Sequence, residues 1–86
     1  MKLIRNTAAD GLGKYTVVNN LSGKTLDGHP GAEDEFFVIK LKDKHSQAAL
    51  RAYADSVRDR DPEYAEQVDD LADRAGPSSP FCKDPD

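Results

Sequence analysis

Asp61-Pro62-Glu63-Tyr64-Ala65-Glu66-Gln67-Val68-Asp69-Asp70-Leu71-Ala72-Asp73-Arg74-Ala75-Gly76-Pro77 reads as a helix with both of its ends marked. Asp61 offers a side-chain acceptor to the first-turn amides. Pro62 fits the first helical position, where no amide hydrogen is needed, and Glu63 suits the positive end of the helix dipole. Gly76 stands where a left-handed residue closes a helix, and Pro77 forbids continuation. Tyr64, Val68, Leu71, Ala72 and Ala75 recur at helical spacing and form the inward stripe.

Immediately upstream, a second helix is expected from Asp43 or Ser46 to about Arg60, with Leu50, Tyr53, Ala54 and Val57 on one apolar stripe that packs on a sheet. The short connection to Pro62 makes the pair an antiparallel helical hairpin. Ala49, Ala54, Ala65 and Ala72 are small enough to let the two helices approach closely.

Farther upstream, Glu35-Phe36-Phe37-Val38-Ile39-Lys40-Leu41-Lys42 has the aromatic and β-branched content of a strand. Alternation assigns Phe37, Ile39 and Leu41 to the core and Phe36, Val38 and Lys40 to the other face. Phe36 and Val38 therefore become candidates for a partner or dimer patch, the competing account being a strand covered on both faces within one chain. Residues 15–26 predict a β-hairpin, with the apolar run from Lys14 to Val18 and Lys24-Thr25-Leu26 flanking the turn chemistry of Asn19-Asn20-Leu21-Ser22-Gly23. An earlier apolar run is Leu3-Ile4, and residues 27–35 form a loop around Gly28, Pro30 and Gly31. The resulting plan is α+β: a small antiparallel sheet, made of the hairpin and strand 35–42, packed against the helical hairpin. One domain covers residues 1–76, and residues 77–86 form an extended or flexible tail whose Phe81 docks on the body.

A chain of 86 residues is one domain that buries only somewhat more than about 60% of its unfolded surface, so its core is thin. The single Cys82 excludes an internal disulfide framework, and no stretch resembles a signal peptide or a membrane span. A cytoplasmic setting is the expectation. A net charge of -4 argues against binding to nucleic acid or to an anionic membrane, and leaves room for a protein partner with a basic surface.

On the second helix, Glu66, Asp69, Asp70 and Asp73 fall at i, i+3, i+4 and i+7, with Glu63 nearby, all opposite the apolar stripe. Such a row of carboxylates suits a basic protein surface, including one that otherwise holds a phosphate backbone. The competing account is a solvated helix face, helped by Arg74 four residues after Asp70. A second candidate lies where strand meets helix. Lys42, Lys44, His45 and Ser46 would surround a helix N-terminus that favours an anion such as a nucleotide phosphate. No Gly-rich phosphate loop accompanies them, and Asp43 carries the wrong charge. His29, His45 and Cys82 are too scattered to suggest a metal site, and the serines lie in no nucleophile motif. No metal, cofactor or catalytic residue is expected.

Glu35-Phe36-Phe37-Val38-Ile39-Lys40-Leu41-Lys42-Asp43, Ala48-Ala49-Leu50-Arg51-Ala52-Tyr53-Ala54-Asp55 and Cys82-Lys83-Asp84-Pro85-Asp86 occur in an order that resembles short accessory proteins of tailed bacteriophages. Those proteins join a Phe-Val-Leu-(Arg or Lys)-x-x-Asp strand to an Ala-rich helix and a Lys-x-Pro-Asp end. The resemblance implies a protein that binds and blocks a host protein in counter-defence, and it carries over no functional residue. Two alternatives stand beside it: an oligomeric sponge for a nucleotide signal, which would use Lys42, Lys44, His45 and Ser46, and a small virion-associated structural protein. A homodimer is compatible with each.

Overall fold

Two helices and one 3-10 turn are the regular elements of the computed structural model, which describes residues 15–84: α1 over Ser46–Val57, α2 over Pro62–Ala72, and the turn over Gly76–Ser78. The chain divides after Val38 into two units.

In the C-terminal unit, α2 starts as its sequence dictates: Pro62 occupies the first turn and Asp61 Oδ1 accepts the Tyr64 amide at 3.1 Å. It stops at Ala72 rather than Ala75. Arg74 and Ala75 donate to the carbonyls of Leu71 and Ala72, tightening the exit before Gly76 takes a left-handed φ of 55°. α1 begins differently from the expected cap. Asp43 Oδ1 accepts the His45 amide at 2.8 Å, while the Ser46 hydroxyl donates inward to the carbonyls of Leu41 and Asp43, each at 2.8 Å.

Moving away from the connection at residues 58–61, Tyr53 meets Tyr64, Arg51 meets Asp69 and Gln47 meets Ala72, so the helices run antiparallel. Their seam is made of small side chains. Ala54, Ala65, Ala72 and Ala75 are fully buried and Val68 is 7% exposed, with Leu50 and Val57 packed partly against them. Among the described residues the only wholly buried side chain larger than alanine is Ser46. The segments flanking the hairpin are tied together as well: Gly76 N donates to Leu41 O, Lys83 N to Lys42 O and Lys44 N to Lys83 O. Phe81, expected to dock, is 74% exposed.

The described part of the N-terminal unit is turn-built. Asn19 Oδ1 accepts the amides of Leu21 and Ser22, Asn19 N donates to Lys24 O, and Gly23 has a φ of 73°. Leu26 N donates to Val17 O, and Val18 and Thr25 form an isolated antiparallel bridge. Gly28 is buried beneath the Phe36 ring; a Cβ there would lie 2.7 Å from the ring.

The expected α+β class is therefore wrong: the chain is mostly helical, and no strand or sheet forms among the described residues. Residues 35–42 have strand composition but form no strand among the described residues, since β-propensity is realised through cross-strand packing and not through composition alone. The division between units falls inside this segment. On one side of it Phe36 packs on Gly28; on the other the Leu41 and Lys42 carbonyls are taken by amides from beyond α2. The assigned faces are also reversed from Phe36 to Ile39, while Leu41 is half-buried and Lys40 exposed as expected. Phe37 and Ile39, expected in the core, are 61% and 43% exposed, whereas Phe36 and Val38 are half-buried. The α1 stripe consequently packs on α2 and not on a sheet. The Leu3-Ile4 run, Lys14 and the terminal Pro85-Asp86 lie outside the described residues.

Candidate functional site

Each residue of an α-helix turns the chain by about 100°, so the carboxylates of α2 fan out over more than one flank. α1 sorts them. Arg51 donates to Asp69 Oδ1 at 3.0 Å and to the Asp69 carbonyl at 3.1 Å, and its other terminal nitrogen donates to Asp73. Arg58, two turns farther along the same side of α1, donates to Asp69 Oδ2 at 2.9 Å and to Asp55 at 2.8 Å. Asp69 thus sits between two guanidinium groups and retains 26% side-chain exposure. The hydrogen bond from Arg58, then that from Arg51, holds its carboxyl below the usual aspartate range. The arginines respond in the opposite sense: Asp73, then Asp69, raises Arg51, while Asp55, then Asp69, raises Arg58.

Glu63, Glu66 and Asp70 have a different surrounding. All three are exposed, and none forms an ion pair among the described residues. Arg74 reaches back to the Asp70 carbonyl at 3.3 Å and not to its carboxylate. Of the five acids marked out by sequence, Asp69 and Asp73 face α1 and close the hairpin, and the other three project from the outer side of α2. The register of the hairpin was the available signal: residues at nearly equal distance from the connection oppose one another, which brings Arg51 to within a residue of Asp69.

Phe36 and Val38, the expected apolar part of a binding surface, lie in the N-terminal unit, where Phe36 covers Gly28. The lysine and histidine cluster before α1 is already occupied by the chain itself. Asp43 takes the His45 amide, Ser46 spends its hydroxyl on two carbonyls with 1% exposure, and Lys44 Nζ lies 3.5 Å from Asp84. Asp43 therefore stands where an anion would bind, and its charge repels one. Lys42 lends its carbonyl to the Lys83 amide.

On the flank of the hairpin opposite the arginines, Tyr53 and Tyr64 meet edge to face at 6.1 Å, with their hydroxyls 3.4 Å apart. The contact with Tyr53 raises the Tyr64 phenol above its ordinary range. In the N-terminal unit His29 pairs with Asp27, and the hydrogen bond lowers the Asp27 carboxyl. Among the described residues no three His, Cys, Asp or Glu side chains converge on a metal-sized site, and no helix is long and apolar enough to cross a membrane. Comparison with family models, with curated proteins and with solved structures finds no match for the chain.

Proposed function

We propose that this chain is a phage or prophage accessory protein that binds a basic surface of a host protein and inhibits it, without chemistry of its own, in a counter-defence setting. The binding half of this reading is supported by the sorting of the α2 carboxylates. Asp69 and Asp73 are spent on α1, whereas Glu63, Glu66 and Asp70 point outward from a helix whose inner side is locked in place. A fixed backbone presents those three charges with little further ordering, and complementary charge accelerates and orients association. The setting is supported by the resemblance of residues 35–86 to phage accessory proteins.

The test uses the native chain and a Glu63→Lys/Glu66→Lys/Asp70→Lys variant as baits in host lysate, followed by an activity assay of whatever is captured. A basic host protein is expected on the native bait only, released by added salt and inhibited when the chain is titrated in, while the variant keeps the native helical spectrum. Equal capture by both baits, or a captured protein that works at full rate when saturated, would sink the proposal. Asp69 and Asp73 are unsuitable for this test because they pair with Arg51 and Arg58, so their loss would also weaken the hairpin.

A further inference from the structure

We infer that the tyrosine-bearing flank of the α1–α2 hairpin is an interface between two copies of this chain. The flank is formed by Leu50, Tyr53 and Val57 of α1 with Tyr64 and Leu71 of α2. Tyr53 and Tyr64 remain 50% and 43% exposed although their rings are already ordered against each other. Aromatic side chains held in a fixed pair lose little freedom when covered, and each carries a large apolar area.

Two observations identify the occupant as a second copy. The first is charge. The chain carries a net charge of -4, so a face on which two copies meet has to be free of carboxylates. Glu63, Glu66 and Asp70 lie on the outer side of α2 and Asp69 and Asp73 on the arginine flank, leaving the tyrosine flank as the apolar side of the hairpin. Arg60 and Asp61, one charge of each sign, stand in the connection, and Asp61 acts on the Tyr64 phenol. A basic partner would be drawn to the outer side of α2 instead. The second is the core. Among its described residues the hairpin unit buries four alanines, one valine, Ser46 and Gly76, too little apolar surface to offset the ordering of two helices comfortably. A twofold pairing of hairpins converts the flank into the centre of a four-helix arrangement, each tyrosine pair meeting the same surface of its counterpart. Helices of 12 and 11 residues are about 18 and 17 Å long, so the interface is at the small end of the range and the dimer forms in proportion to concentration.

Sedimentation velocity and thermal melts of the full chain, from micromolar to submillimolar concentration, test this. The native chain is expected to move from 9.4 kDa toward twice that mass, with a melting midpoint that climbs with concentration. Tyr53→Phe/Tyr64→Phe should still dimerise, and Tyr53→Glu/Tyr64→Glu should not. The Glu63→Lys/Glu66→Lys/Asp70→Lys variant should dimerise like the native chain, which separates this interface from the proposed host-binding side. If the glutamate variant loses its helical spectrum, the native protein decides: photo-oxidative links between Tyr53 or Tyr64 of two copies support the interface, and a midpoint independent of concentration overturns it. A native chain that stays at 9.4 kDa throughout also overturns it, whether or not another protein covers the tyrosines. A folded glutamate variant that still doubles its mass places the contact elsewhere and has the same effect.

Discussion

Asp69 has two guanidinium partners, whereas Glu66, one turn earlier on the same helix, has none among the described residues. Identical chemistry in the sequence thus serves two purposes in the molecule. Asp69→Asn should lower the melting midpoint clearly, since it uncouples Arg51 and Arg58 together, while Glu66→Gln should leave the midpoint nearly unchanged; differential scanning fluorimetry at neutral pH checks both. The pH dependence has a definite sign. The folded-state carboxyl of Asp69 titrates below the unfolded value of about 3.9, so its stabilisation is complete above that value and disappears as pH falls through the depressed folded value. The gap between native and Asp69→Asn midpoints should therefore be widest at neutral pH and close under strong acid. A gap that persists unchanged at the acid end would show that the ion pairs are not its source. At Gly76 backbone geometry rather than charge is decisive. An alanine there must adopt a φ of 55° and place its Cβ 3.0 Å from the Lys44 carbonyl oxygen. The strain alone is worth about 1 to 2 kcal/mol, and urea unfolding of Gly76→Ala should show at least that loss.

The helices were legible because the signals that end them are local. Asp61 and Pro62 act within a turn of their own positions and do in the structure what their chemistry prescribes, whereas Gly76 takes its left-handed φ three residues beyond the C-cap Asp73 and gives its amide to Leu41 instead of closing α2. Asp61→Ala should cost about 1 kcal/mol by urea unfolding, the usual worth of an N-cap acceptor. The seam can be tested by filling it. Ala65 is fully buried between the helices, so Ala65→Leu should destabilise by about 1 to 3 kcal/mol through overpacking, although leucine is a good helix former. A neutral or stabilising result would mean that the helices stand farther apart than the alanine seam requires. Residues 35–42 misled because strand formation is not a local property. Their composition specifies a half-buried extended segment, and whether a ladder follows depends on cross-strand partners that composition does not name. The antiparallel bridge between Val18 and Thr25 shows the turn chemistry succeeding where no named strand forms among the described residues.

At the scale of the molecule, regular structure and burial among the described residues are concentrated after residue 45, and amide exchange should follow the helices. Slow exchange is expected along α1 and α2 when read by NMR, and uniformly fast exchange there would refute the packed hairpin. How much of the candidate binding surface could be read in advance depended on the same distinction. The acidic character of α2 was plain from spacing, but which carboxylates remain outward depends on where α1 lies, and that follows only once the hairpin register is known. The register itself rests on the few residues between the helices. Surface connections ordinarily absorb length changes well, yet this one is bounded by Val57 packed on the core and by Asp61 and Pro62 fixed at the start of α2. One residue added among positions 58–61 would either move α2 by a step or rotate it by about 100°, carrying Asp69 away from both arginines and parting the tyrosines. Related sequences should accordingly vary freely in the identity of these linking residues while keeping their number, so that drift by substitution stays open to the hairpin and drift by insertion is closed.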